Sequence, residues 1–423
     1  MTGKRWILFL LFAFIITFVI GYVVSAWLVA DQGSDQAGLP DNKGQGNSAD
    51  MTKPEDPIRK QIETMSLEEK IGQLVLVGLE GYEIDDHTKC LIRDYHVGGF
   101  ILFRRNIRDA GQMLTILNSL KEANAANKVP LFLSIDEEGG RISRLPQEFL
   151  KLPAAGKIGS VNDADLSYQI GSIIGEILKA LGINMNFAPV LDINSNPRNP
   201  VIGDRSFGAE AKTVSKLGIA AMKGLQEQGI IPVVKHFPGH GDTDIDSHVG
   251  LPVLKHDLSR LKSLELKPFN AAIENKAEGI MIAHILLPEL DAQAPASLSK
   301  PIITGLLREQ MNYDGVVITD DLTMGAITDN YEIGAAAVKA VLAGSDIVLV
   351  CHGYENGERV LRALTEAAKS GLIPAERIEE SLYRILSLKK KYNLSDSGNS
   401  AFDVQAVNNR ISKLFKECPG LAD

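Results

Sequence analysis

Cysteine is scarce in this chain. Cys90, Cys351 and Cys418 are an odd number at no motif spacing. They argue against a disulfide framework and against a C-x-x-C metal or redox centre. Compact positive charge is also scarce. Lys389 to Lys391 is the one tight basic run, and the net charge is −9, which argues against a nucleic-acid partner. No G-x-G-x-x-G follows the first apolar run after the N-terminal region, which weighs against a dinucleotide-binding fold. No cysteine closes the N-terminal apolar run, so a lipoprotein anchor is not expected.

What is present is sizeable: 423 residues, 45% hydrophobic and 23% charged, enough for one large domain or two ordinary ones. Lys4 and Arg5 precede an apolar run from Trp6 to Ala30. About 25 residues at roughly 1.5 Å each span a bilayer core. Positive charge on the N-terminal side predicts a single-pass cell-membrane anchor with the bulk of the chain outside the cytoplasm. A cleaved signal peptide, cut after Ala26 or Ala30 and leaving a secreted protein, is the alternative. Residues 31–56 are rich in Asp, Gly, Asn, Gln and Pro and predict a flexible linker.

Beyond residue 57, eight short apolar runs alternate with longer amphipathic stretches. The runs are Leu74–Leu79, Gly99–Phe103, Leu131–Ile135, Met185–Val190, Pro232–Val234, Ile280–Ala283, Val316–Thr319 and Ile347–Val350. Helical stretches are expected at Pro57–Glu69, Ala110–Ala126, Asp165–Leu181, Ala211–Gln228, Leu258–Asn275, Ile302–Met311 and Tyr331–Ala343. Ser66 to Glu69 forms a possible capping box. Strands alternating with helices predict an α/β fold with a parallel sheet. Eight such units predict a (β/α)₈ TIM-type barrel over residues 57–395, with 396–423 as a C-terminal tail carrying one amphipathic stretch near Val404–Phe415. A doubly wound open sheet is the alternative. Polar residues gather where the runs end: Asp136 to Arg141, Asp192, Lys235-His236, His284, Asp320-Asp321 and His352. In a barrel these endings share one face.

The densest of these endings follows the fifth run. Pro238, Gly239 and Gly241 break regular structure, and Asp242, Asp244, Asp246 and His248 follow. A solvated turn explains the glycines and aspartates but not the histidines. A metal site is the second reading. His236 and His240 are four apart, but Pro238 and Gly239 deny them a shared helix face. A calcium loop starting at Asp242 would need Gly at Ser247 and Glu at Val253. The third reading is an acid/base loop, in which Asp246 orients His248 as proton donor. His87, His96 and His256 lack such a context and are expected at the surface or in packing.

Lys-His-Phe-Pro-Gly-His-Gly from Lys235, followed by Asp246-Ser247-His248, resembles the signature loop of family 3 glycoside hydrolases, in particular their bacterial β-N-acetylglucosaminidases. Leu306 to Gln310 with Gly315 to Asp321, and Asn199 to Phe207, resemble two further motifs of the family. The likeness covers about residues 58 to 395. It implies Asp320 as nucleophile and the Asp246–His248 pair as acid/base. It also implies sugar binding by Asp136, Arg144, Arg205, Lys235 and His236, with Met324 against the sugar. A carboxylate held at a strand end can attack an anomeric carbon. The implied activity is retaining exo-hydrolysis of terminal β-linked N-acetylglucosamine from cell-wall oligosaccharides and muropeptides. No cofactor and no metal are implied, and a monomer is expected. A second sandwich domain found in some members is not expected in the 28 residues after Ser395. A β-N-acetylglucosaminide phosphorylase, a β-glucosidase and a non-catalytic wall-binding module are the alternatives.

Overall fold

A computed structural model of the chain describes residues 56–421. The expected anchor and all of the linker but Asp56 fall outside those residues. No described helix is long and apolar enough to cross a membrane.

The eight apolar runs are eight parallel strands: β1 (Val75–Gly78), β2 (Gly99–Leu102), β3 (Phe132–Ile135), β4 (Met185–Asn186), β5 (Ile231–Phe237), β6 (Gly279–Ile282), β7 (Val316–Asp321) and β8 (Ile347–Val350). They pair in sequence order, and β1 closes on β8 with Val75 beside Val348 and Val77 beside Val350. That closure decides for the barrel over the open sheet. Burial on both faces explains why these strands read as continuous apolar runs. In β1, β2, β3, β6 and β8 every residue is buried. β4 stops at Asn186, short of the expected Val190. Pro189 lies beyond it and has no N–H to add to a ladder.

Two expected helices are broken for identifiable reasons. Pro57–Glu63 ends at Thr64, and Leu67–Gly72 starts afresh on Ser66. Ser66 Oγ accepts from Glu69 N at 3.1 Å while Glu69 Oε2 accepts from Ser66 N at 2.7 Å, a complete capping box. The Leu258–Asn275 stretch splits into Leu258–Ser263 and Leu266–Glu274. Pro268 cannot donate to the Leu264 carbonyl, and Leu264 leaves helical geometry with φ −137° and ψ −76°.

Residues after 395 pack on the barrel. Asp396 accepts from Leu131 N at 3.2 Å and Asn124 Nδ2 at 2.7 Å. Phe402 stacks on Phe149 at 5.9 Å, and the helix Val404–Glu417 buries Val407, Ile411 and Leu414.

Candidate active site

The end of β3 and the middle of β5 build one buried charge cluster. Asp136 and Glu138 follow β3 directly, and both reach the same cation. Lys235 Nζ lies 2.5 Å from Asp136 Oδ1 and 2.7 Å from Glu138 Oε1. Arg205 grips Glu138 with two bonds of 2.8 Å. Burial alone would raise the Glu138 pKa, but Lys235 and Arg205 overcome it and hold the carboxyl well below its usual range. The pair of cations therefore keeps Glu138 charged inside the barrel mouth. Glu138 is an organising residue within the polar ending Asp136 to Arg141. Its two-residue spacing from Asp136 was the available signal.

Behind this cluster, His236 Nδ1 lies 2.7 Å from Asp192 Oδ2. A carboxylate accepts, so the ring proton is on Nδ1. Asp192 Oδ1 also accepts from His240 N at 2.6 Å. His236 Nε2 faces the Arg205 guanidinium at 3.4 Å. Arg144 arrives from the loop after β3. Buried Glu137 accepts from Ser143 Oγ, Arg144 N and Leu145 N, which fixes that loop. The Arg144 side chain has no hydrogen-bond or salt-bridge partner among the described residues, and its Nε is buried without one. Arg141 is occupied elsewhere, on Asp204 and the Val201 carbonyl.

The two carboxylates that end β7 are in different situations. Asp321 Oδ1 accepts from Cys351 N and Thr323 N, each at 2.9 Å, and Oδ2 accepts from Thr323 Oγ1 at 2.5 Å. Its carbonyl accepts from His284 Nε2 at 2.9 Å, so His284 is a support behind the strand end and not part of the cavity wall. Asp320 accepts one bond, from Asp321 N at 2.8 Å, and otherwise faces the cavity. Burial pushes its pKa up. The imidazoles of His284 and His236 and the Asp321 N–H pull it down, and the balance lies below the usual carboxylate value. Asp320 is thus an anion with an uncommitted oxygen on the cavity, while Asp321 is consumed by the scaffold.

The loop after β5 is fastened at several points. A Cβ at Gly241 would sit 1.8 Å from the Ile193 carbonyl, so only glycine fits where the loop leaves the barrel. His240 Nδ1 meets Thr243 Oγ1 at 2.7 Å and its Nε2 meets Ser247 Oγ at 3.2 Å, tying both ends of the loop to one buried ring. Burial lowers the His240 pKa to about 4, so that ring is neutral. Asn196 holds Asp244 at 2.8 Å. Ser247 O accepts from Ala326 N at 3.1 Å, docking the loop on the segment after β7. Close approach there again requires glycine: a Cβ at Gly325 would lie 2.8 Å from the His248 carbonyl.

Asp242 meets His256 Nε2 at 3.0 Å, and Glu265 lies 3.9 Å from the same nitrogen. His256, expected at the surface or in packing, is therefore a tether for the loop base. Asp242, His256 and Glu265 come close enough to hold a metal. Arg260 supplies the cation there, with its Nη2 2.9 Å from Glu265 Oε1. On the far limb, Asp246 Oδ1 accepts from His248 N and lies 2.9 Å from His248 Nδ1. The ring proton on Nδ1 leaves Nε2 free.

These elements enclose a cavity of about 170 Å³. Asp136, Arg144, Arg205, Lys235, His236, His248, Asp320 and Met324 all line it, with Asp246 behind His248. Sequence reasoning did not single out Glu138, Phe103, Ser247 or Cys351, which line it too.

The glycosyl hydrolase family 3 N-terminal domain model matches residues 66–388. The chain belongs to glycoside hydrolase family 3. Its relatives in the family include β-hexosaminidase A of Pseudoalteromonas piscicida, 38% identical over 325 residues, which cover 71% of this chain and 54% of that protein. The chain thus spans about half of that longer relative. The β-hexosaminidase of Idiomarina loihiensis is 34% identical over 68% of this chain and 87% of its own length. Among solved structures, a family 3 β-N-acetylglucosaminidase from a Paenibacillus species superposes with TM-score 0.78 at 45% identity, covering 83% of this chain and 69% of that one. A β-N-acetylhexosaminidase from Beutenbergia cavernae gives TM-score 0.72 at 30% identity over 77% and 99%. In family 3 terms, the cavity at the C-terminal ends of the strands is where barrel enzymes place their chemistry.

Proposed function

We propose that this family 3 enzyme is a retaining exo-β-N-acetylglucosaminidase that acts on cell-wall fragments, anchored to the membrane by residues 1–30 with its barrel outside the cytoplasm. The β-N-acetylhexosaminidase activity rests on the family and on the names of the relatives. The observation that supports the mechanism is the contrast at β7: Asp320 offers a free, ionised oxygen to a cavity that His248 also lines, while Asp321 is spent on hydrogen bonds.

In the first step an Asp320 carboxylate oxygen bonds to the anomeric carbon. The bond from that carbon to the leaving oxygen breaks, and His248 Nε2 gives its proton to that oxygen. The Asp246 carboxylate stabilises the imidazolium that gives the proton and holds the ring in place. In the second step water bonds to the anomeric carbon, the bond to Asp320 breaks, and the water proton passes to His248. Asp136, Lys235 and Arg144 hold the sugar by charge-assisted hydrogen bonds. A cavity of about 170 Å³ suits one sugar ring rather than a chain of them, in keeping with action at a chain end.

Using a histidine avoids a second negative charge beside Asp320, which leaves phosphate admissible as the acceptor in place of water. The test compares nitrophenol release from β-N-acetylglucosaminide and β-glucoside, with and without phosphate, and follows the anomer first formed by NMR. Fast release of the acetamido sugar as its β-anomer, without phosphate, supports the proposal. Phosphate-dependent turnover would make the enzyme a phosphorylase, preference for the glucoside would overturn the sugar assignment, and an α-anomer first product would overturn the mechanism.

A further inference from the structure

The charged clamp occupies the β3 to β5 side of the cavity. The opposite wall, beyond β8, β1 and β2, carries a second arrangement that the mechanism above does not use. Arg105 is fixed there by two carbonyls, Leu79 O at 3.0 Å and Cys351 O at 2.6 Å. Its guanidinium lies 4.6 Å over the Phe103 ring, and Phe103 in turn packs on His352 with centroids 5.3 Å apart. The third contact of Arg105 is from Nη1 to His352 Nδ1 at 3.0 Å.

That contact settles the tautomer. Arginine only donates, so Nδ1 accepts, and a neutral ring must carry its proton on Nε2. Burial and the Arg105 charge lower the His352 pKa against the opposing pull of Asp321, which keeps the ring neutral. The Nε2–H has no acceptor among the described residues. The nearest carboxylate oxygen, Asp321 Oδ2, is 3.8 Å away and already accepts from Thr323 Oγ1. That distance is outside hydrogen-bond range. His352 and Phe103 both line the cavity that holds Asp320. The result is a donor of known tautomer at the half-exposed mouth of the cavity, on a ring held by Arg105 and Phe103 and without an acceptor among the described residues.

We propose that His352 is a substrate-binding residue whose Nε2–H donates to an oxygen of the bound saccharide, with Phe103 beside it packing on a C–H face of the sugar. The proposal rests on the reading of this cavity as a glycosidase site. It assigns recognition to the wall opposite the ion cluster. Arg105 is a positioning residue for it, because it acts through the imidazole.

The experiment compares wild type, His352→Phe and His352→Gln on an aryl β-N-acetylglucosaminide, with thermal unfolding of each. Phenylalanine keeps a ring against Phe103 and removes the donor. Glutamine places an N–H near the same point. Losing one neutral hydrogen bond of this kind predicts a KM raised about three- to tenfold in His352→Phe with kcat within about twofold. His352→Gln should recover most of that loss. An unchanged KM in His352→Phe would overturn the proposal. Equal KM losses in both variants, each with a lowered unfolding temperature, would also overturn it by showing a packing role. Wild-type turnover separates the two readings: if the wild type does not cleave the substrate, the proposed function fails, whereas normal wild-type turnover with an indifferent His352→Phe refutes this inference alone.

Discussion

Asp320 and Asp321 are adjacent, chemically identical and opposite in what their removal should do. Asp321→Ala deletes the acceptor for Cys351 N and Thr323 N and the partner of Thr323 Oγ1. Cys351 is buried, so its N–H finds no water in exchange. Unsatisfied buried donors cost about 1–3 kcal/mol each, which sets the loss of stability at roughly 2–5 kcal/mol. Asp320→Ala deletes one acceptor, for Asp321 N, and should cost about 1 kcal/mol or less. Activity reverses the contrast in kind. Asp320→Ala should lose about 10⁴-fold or more in kcat, as expected for a nucleophile, and a small anion such as azide should restore turnover by attacking the anomeric carbon in its place. Asp321→Ala should lose activity through displacement of the strand end, with no rescue by azide. Denaturant unfolding and nitrophenol release measure both halves. A stable, inactive, azide-rescued Asp321→Ala beside a destabilised Asp320→Ala would refute the reasoning.

Three further outcomes follow from the geometry. His248→Ala should depress cleavage of poor leaving groups far more than that of activated aryl glycosides, because only the former need the proton; equal loss on both would remove His248 as the acid. His256→Ala unties Asp242 at the loop base, so kcat on poor leaving groups should fall several-fold with little change on activated ones, and unchanged kinetics would show that the tether is idle. Burial raises the Glu137 pKa to about 7 against the opposing Arg144 N–H and Ser143 bonds. Its folded state holds the proton that the unfolded chain releases near pH 4.5, so this contribution to stability is complete below that pH and is lost as pH rises through about 7. Glu137→Gln should flatten the decline in unfolding free energy across that interval, and an unaltered slope would contradict the assignment.

Much of this architecture was legible because a parallel barrel buries its strands on both faces. Runs such as Ile347–Val350 could hardly be anything else once eight of them alternated with helices. The strand ends were legible for a related reason: charge at the end of an apolar run has no place inside. What escaped detection was of two kinds, one local and one dependent on contacts distant in sequence. Pro268 breaks its helix through a carbonyl four residues earlier, a local effect that periodicity hides. His256 gains its role only when the fold brings it to Asp242, and the residues after 395 carry no mark that they pack on Leu131 and Phe149. Asp320 and Asp321 were distinguishable by motif, but the physical difference between them lies in Cys351 and Thr323, which the fold supplies.

The central claim is that Asp320 forms a bond to the sugar. The most direct measurement traps that bond with a fluorinated N-acetylglucosaminide that has a good leaving group and a slow second step, then maps the modified peptide by mass spectrometry. A mass increase of one glycosyl unit on the β7 peptide, located at Asp320 and absent in Asp320→Asn, is the predicted result. An adduct on Asp321, Asp136 or any other carboxylate, or turnover of the trap with no adduct and an inverted product, would contradict it.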